Sequence, residues 1–381
     1  MKIVVNALSA RRGGIITYTR NLMQSFRSQG VNAVFALPVG SSLQNEDAET
    51  ICLPVTELRS LSRVLWEQTT WRRIVKDLNP DILYSSANFG IIRSPVPQVL
   101  LVREGGLFDP TYLTNIAPAL GSRSVLERSL RRRLIIASAR SSNLILTPTD
   151  AMGDLFQTWA PDLSWKIQKN SYGTRVDHFR DNSKEQRIWR EDGMLRILLV
   201  SAYYSHKQPG LVAEAARKLN DAGIKTHLTL TMDFDQIKNA PGGSKDLFLL
   251  RRGAERGEVT MLGDVKYTDL PALYAESDLF VTPSLSETFG HPLIEAMASE
   301  TLIVASNTPV HREVCQDSAV YFSGTSVDDL VQSIQSLDEN PRRRASVLSL
   351  ATSLGKQSYT WDSHVKRLLE NFKTVLAGRV C

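Results

Sequence analysis

The chain has little cysteine, no long apolar run and no biased composition, and each absence closes a class of protein. Its three cysteines, Cys52, Cys315 and Cys381, stand far apart without a CxxC pair or a zinc spacing, so the sequence reads as reduced and intracellular. No stretch approaches the about 18 consecutive apolar residues of a membrane-spanning helix, which leaves only a membrane surface open to it. The start, with Ile3-Val4-Val5 before Asn6 and then Arg11-Arg12, lacks the apolar core of a signal peptide and reads as a first strand. Cys381 is not followed by the three residues of a prenylation signal. Glycine (22) and proline (16) are ordinary, 42 % of residues are apolar and 22 % charged, which excludes collagen, low-complexity and disordered chains.

What is present is length and pattern. At about 150 residues per domain, a chain of 381 residues implies two domains. The net charge of +5 hides a split: residues 1–190 carry 25 basic against 16 acidic side chains, a net of +9, and the remainder 20 against 24, a net of −4. A basic half argues for an anionic partner and says nothing about fold. Short apolar runs alternate with amphipathic stretches throughout, the pattern of βα units and parallel sheets. Strands are expected over 3–6, 33–37, 81–85, 98–102 and 143–147, with helices near 15–29, 61–78, 123–139 and 150–158. A polar stretch over 181–187 reads as a linker. Beyond it strands are expected over 195–200, 226–232, 259–262, 279–283 and 302–306, with helices near 209–220, 268–276, 291–299 and 326–337. In the last helix Trp361, Val365, Leu368, Leu369, Phe372 and Leu376 recur at three and four residue spacing and form an apolar face. Ligands of such sheets sit beyond the carboxyl ends of the strands, so motifs are sought directly after strands.

Three segments answer to that position. Pro283-Ser284-Leu285-Ser286-Glu287-Thr288-Phe289-Gly290-His291-Pro292 follows a strand and opens a helix that carries Glu295. Pro292 suits a first helical turn, Gly290 admits a ligand close to the backbone, and free amides around Thr288, Phe289 and Gly290 suit a phosphate. Glu287 and Glu295 can each accept two hydrogen bonds from a sugar diol; taken alone they read as readily as a solvated loop residue and a surface helix residue. Lys207, in Tyr203-Tyr204-Ser205-His206-Lys207, again lies between strand and helix and offers a point charge to a phosphate, or is an ordinary surface lysine. Arg12-Gly13-Gly14 is a third such loop; it is not a GxGxxG, and a simple tight turn explains it as well.

In combination these segments resemble the retaining glycosyltransferases of family 4, which have the GT-B fold of two facing Rossmann-like domains with a central cleft. Glu287 to Glu295 is similar to the family's E-x7-E element, Lys207 to its phosphate-binding lysine and Gly13-Gly14 to its N-terminal glycine loop. Asn170-Ser171-Tyr172-Gly173-Thr174-Arg175-Val176-Asp177 resembles the stretch before the linker, and Leu262-Gly263-Asp264-Val265 the segment that meets the base. The resemblance implies an acceptor-side domain over 1–185, with a returning C-terminal helix over about 359–381, and a donor domain over 194–358. It implies Glu287 as the catalytic residue touching the transferred hexose. Gly14, Lys207, Val265, Thr288, Phe289, Gly290 and Glu295 are implied to bind the donor, Glu295 at the ribose, Lys207 at the diphosphate and Val265 at the base. Gly13, Arg103, Glu104 and His291 are cleft candidates. No metal and no cofactor are implied beyond the nucleotide-sugar donor, because lysine and helix dipole neutralise the leaving diphosphate. Two positions depart from the family: Ala202 stands five residues before Lys207 where an arginine is usual, and Arg103-Glu104 occupies the place of a histidine. These departures motivate the alternative of a degenerate relative that binds a sugar nucleotide or a partner without transfer.

Other signals carry less. Asp233-Phe234-Asp235 spells a metal-binding D-x-D but stands ahead of the E-x7-E element in the second domain, and His206, His291 and His311 show no metal spacing. Arg123, Arg128, Arg131, Arg132 and Arg133 crowd a helix whose Leu126, Leu130 and Leu134 repeat every four positions. That helix suits an anionic membrane surface, or is a solvated face beside a core-facing one. No reading motif for nucleic acid accompanies the charge. The expected protein is a cytoplasmic, membrane-peripheral hexosyltransferase acting on a glycan or lipid-linked acceptor in polysaccharide or glycolipid synthesis.

Overall fold

The computed structural model describes residues 1–11, 14–55, 60–181 and 187–378, the side chains of 60, 61, 119, 120, 122, 123, 181 and 356–358 excepted. Gly13, the Arg123 side chain, Cys381 and most of the expected linker therefore lie outside the described residues. Contacts divide the chain into two units. One comprises Met1–Phe108, Leu126–Gly173 and the chain from Trp361 onward; the other comprises Asp109–Val125 and Thr174–Thr360. This division differs from the boundaries expected from sequence. The crossing lies at Gly173, ahead of the polar stretch, and 109–125 groups with the second unit.

The first unit holds a seven-stranded sheet: β1 (Ile3–Asn6), β2 (Ala33–Pro38), β3 (Glu49–Leu53), β4 (Ile82–Ser85), β5 (Gln98–Leu101), β6 (Leu144–Thr147) and β7 (Ile167–Lys169), in the order β3-β2-β1-β4-β5-β6-β7. The second holds six: β8 (Leu195–Leu199), β9 (Thr226–Leu230), β10 (Val259–Met261), β11 (Leu279–Thr282), β12 (Leu302–Ser306) and β13 (Val320–Phe322), in the order β10-β9-β8-β11-β12-β13. Every pairing is parallel. β1, β2, β4, β5, β6 and β12 are buried at each residue, as strands covered on both faces must be. In each sheet the order reverses between the first strand and the fourth, at β1/β4 and at β8/β11, and loops leaving such a reversal diverge to open a ligand crevice. The register Leu279↔Ile197 ends β11 and β8 at nearly the same level, so their following loops start side by side.

The helix Trp361–Leu376 belongs to the first unit. It buries Trp361, Val365, Leu368 and Phe372, with the Phe372 ring 5.5 Å from that of Tyr84. His364, fully buried, meets the Tyr18 hydroxyl at 3.1 Å through Nε2 and donates through Nδ1 to the Ser171 carbonyl at 2.9 Å. The helix Ser122–Arg140 corrects one expectation. Leu126 and Leu130 do not face a core, being 72 % and 47 % exposed, whereas Ile135, Ile136 and Ala139 are buried. Three of the five arginines expected to meet lipid turn back onto protein: Arg128 donates to Gly106 O, Arg131 pairs with Glu104 at 2.7 Å, and Arg132 donates to Leu107 O while lying 3.5 Å over the Trp159 ring. Arg133 is exposed.

Candidate active site

The loop after β8 and the loop after β11 are built as one piece. Gln208, in the left-handed region at φ 43°, ends the short turn Ser205–Lys207, and its side-chain amide donates to the carbonyls of Pro283 at 2.8 Å and Gly324 at 2.7 Å. The amide of Leu285 donates to His206 O at 3.0 Å. These bonds set the Lys207 ammonium against the Glu287 carboxylate as an ion pair in which both side chains are largely buried. The pair lines a pocket together with Ser201, Pro283, Gly290 and His311. Burial pushes the Glu287 pKa up, but Lys207, with His206 and His311 beside it, outweighs burial and holds it down to about 2. Glu287 is therefore a carboxylate at every physiological pH, and Lys207 has one anion already at hand.

The helix His291–Ala298 starts from Gly290, whose φ of 84° lies in the left-handed region that favours glycine. Phe289 is buried beneath, its ring 5.1 Å from His291 and 5.5 Å from Tyr359. His291 itself meets Thr174 Oγ1 at 3.2 Å through Nδ1. One turn in, Glu295 is only 5 % exposed, and the Tyr274 hydroxyl donates to its Oε2 at 3.1 Å, shared with Pro292 O at 3.2 Å. Burial raises the Glu295 pKa to about 7 against the lowering pull of that hydrogen bond. Two carboxyl groups eight residues apart thus meet opposite environments, one paired with a cation and one with a neutral hydroxyl.

Among the other expected residues, Thr288 lies in the same loop, half-buried, and Val265 lies half-buried in the loop after β10, two residues before Tyr267, whose ring stacks on His178 at 5.3 Å. Gly14 opens the helix Gly14–Ser28 after β1, and Arg103 and Glu104 follow β5; all three belong to the first unit. Ala202 leaves Lys207 without a neighbouring arginine in this loop. Asp233, the first aspartate of the D-x-D, caps the helix Phe234–Lys238, accepting from the Gln236 amide at 2.7 Å. His311, named in the sequence only for its lack of metal spacing, lines the pocket; it is fully buried and donates through Nδ1 to Ser306 O at 2.8 Å, while its Nε2 has no partner among the described residues. Burial lowers its pKa, against the pull of Glu287. Its signal was its position directly after β12 at a helix start.

Two doubly wound units of this topology are the GT-B fold, and the second unit's switch point carries a lysine, two glutamates and a helix N-terminus of the kind that holds an anion. Residues 181–359 match the family model described as glycosyl transferases group 1, and the chain resembles the glycosyltransferases of family 4. It is 33 % identical over 129 residues to an O-antigen chain mannosyltransferase B of Escherichia coli, a stretch covering 33 % of this chain and 32 % of that protein. The chain spans about a third or less of the first curated relatives it matches. Among solved structures, sucrose-phosphate synthase from Thermosynechococcus elongatus superposes with a TM-score of 0.77 at 13 % identity, covering 99 % of this chain and 100 % of that one. An Anabaena protein, HepE, in complex with UDP-glucose gives 0.72 at 16 % identity, over 98 % and 100 %.

Proposed function

We propose that the chain transfers a hexose from a nucleoside-diphosphate sugar to a glycan or lipid-linked acceptor, with retention of configuration and without a metal ion, in polysaccharide or glycolipid synthesis at the cytoplasmic face of a membrane. The observation that carries this reading is the placement of Lys207, Glu287 and the start of the helix His291–Ala298 in one pocket at the β8/β11 reversal. An O-antigen mannosyltransferase among the relatives and a UDP-glucose complex among the structural neighbours support the substrate class.

In this reading Lys207 exchanges its partner. Free, it is neutralised by Glu287; with donor bound, its ammonium turns to the diphosphate and strengthens as the leaving group gains charge, which is where electrostatic catalysis acts. The amides of Phe289 and Gly290 add the helix dipole to the same charge, so cationic neutralisation comes from the chain itself. Glu287, released from Lys207 and ionised, accepts hydroxyls of the hexose and stabilises positive charge developing at the anomeric carbon. Glu295, raised and close to Tyr274, accepts the ribose diol.

The test is a thermal-shift panel of UDP, GDP and dTDP followed by a transfer assay with the sugar nucleotide whose base stabilises the chain. A ligand at about 100 times its Kd adds about 2.7 kcal/mol, and one of the three is expected to do so. Glu287→Gln and Lys207→Ala are expected to reduce turnover at least about a hundredfold, the scale of losing one preorganised charge, with the fold retained. Full turnover in both variants, or no response to any nucleotide, removes the transferase; a nucleotide response without any turnover leaves the degenerate binder.

A further inference from the structure

Arg103 stands at the carboxyl end of β5 with its guanidinium resting against two buried rings, 5.4 Å from the centroid of Tyr18 and 5.3 Å from that of Tyr172. Aromatic faces attract the cation but leave unused its edge, where five N–H donors lie in one plane. Among the described residues no acceptor takes any of these donors, and Nη1 is buried without a partner. The neighbouring acid does not serve as counterion, since Glu104 is held by Arg131 at 2.7 Å and by the Asn88 amide at 3.5 Å. Nor is Arg103 loosely placed: its main-chain N–H donates to Asn88 Oδ1 at 2.7 Å, and the Tyr18 hydroxyl is fixed by Tyr84 at 2.7 Å and His364 at 3.1 Å. Nη2 lies 3.9 Å from the point where a Cβ on Gly14 would stand, so the guanidinium reaches the first residue of the helix after β1. A cation seated on aromatic rings, without a carboxylate and with its fork unspent, is a receptor for a planar or tetrahedral oxyanion.

We propose that Arg103 binds an oxyanion of the substrate, a phosphate ester or a carboxylate, edge-on through its guanidinium fork, in a seat formed by Tyr18, Tyr172 and Gly14. The net charge of +9 over residues 1–190 draws such a group towards this half of the chain. The inference rests on the transferase reading only in treating the anion as part of a substrate.

The test is calorimetric titration of the full chain with methyl phosphate, methyl glucuronide and, as a neutral control, methyl glucoside. The wild-type chain is expected to bind at least one of the two anions, and Arg103→Gln to weaken that binding at least tenfold. Arg103→Lys, which keeps the charge without the fork, should fall between. The anion that responds names the source, phosphate or carboxylate. In the wild-type chain the same anion should protect Arg103 from an arginine-selective dicarbonyl, located by mass spectrometry, which decides the matter even where a variant folds poorly. Equal anion binding by wild type and Arg103→Gln, no anion binding by wild type, or unprotected modification overturns the proposal. UDP and GDP are titrated beside these probes: their failure removes the transferase, whereas the anion series alone judges Arg103.

Discussion

Glu295 and Glu287 show how far one residue type can be moved by what surrounds it. The Lys207 ammonium holds Glu287 down to about 2, whereas Glu295, met only by the Tyr274 hydroxyl, is pushed by burial from 4.5 to about 7. The sign of each follows. Glu287 contributes stability above the unfolded carboxyl value that is lost only as pH falls towards 2. Glu295 does the reverse, because between 4.5 and about 7 the folded chain binds a proton that the unfolded chain has released, so stability falls as pH rises through that window. A shift of this size corresponds to about 3 kcal/mol. Glu295→Gln, isosteric with the protonated acid, should therefore leave urea unfolding unchanged near pH 4 and stabilise the chain at pH 8 by up to that amount. Wild type and variant losing stability in parallel between pH 4 and 8 would show that Glu295 ionises freely. The neutral carboxyl is also the form a ribose diol favours least, so the cost of ionising Glu295 is offset only when hydroxyls donate to it, a ligand-dependent gain built into one side chain.

At the scale of elements, the helix Trp361–Leu376 is fixed by the residue that precedes the crossing to the second unit. A Cβ on Gly173 would stand 2.5 Å from Trp361 Cα and 2.6 Å from its nitrogen, and backbone atoms cannot rotate out of the way. Gly173→Ala should thus cost about 1–3 kcal/mol, the range for forcing atoms into a packed site, and should speed hydrogen exchange in 361–376 ahead of β4 and β5. Exchange unchanged in that helix would mean that the contact relaxes elsewhere. Elements were legible in proportion to how completely they are buried. β1, β2, β4, β5 and β6 announce themselves as unbroken apolar runs, but β3 (Glu49–Leu53) and β7 (Ile167–Lys169) are sheet edges with exposed residues, and β13 spans only Val320–Phe322, so none of the three has a run to read. Lys207, Glu287 and Gly290 could be read because each lies between a strand and a helix. His311 has that position too, but an isolated histidine gives no spacing to argue from. Arg103 was visible only as a departure from a pattern, and its aromatic seat, assembled from Tyr18 and Tyr172, is a contact across long sequence separation that no local motif encodes.

Over the whole molecule charge and apolar exposure have to be weighed together, and the helix Ser122–Arg140 is where they meet. Among the described residues no helix is long and apolar enough to cross a membrane, so attachment would have to be interfacial. The arginines expected to make it are mostly committed: Arg128, Arg131 and Arg132 hold Gly106, Glu104, Leu107 and Trp159, and each would have to leave a formed contact to reach lipid. What the helix does present is Leu126 at 72 % exposure, Leu130 at 47 %, Val125 beside them and the exposed Arg133. On this ground we propose that an anionic membrane is held by the leucines first and by Arg133 second. Two leucines entering the interface contribute roughly 3 kcal/mol, against about 1 kcal/mol for one arginine near an anionic surface. In sedimentation with phosphatidylserine-containing vesicles, Leu126→Ser/Leu130→Ser should therefore lose most binding even at low salt, Arg133→Ala should lose only a few-fold, and Arg131→Ala almost none. Binding of the double serine variant that matched wild type, or abolition by salt alone, would give the attachment to the arginines instead, and a wild-type chain that stays in solution would return the helix to the reading of a solvated face.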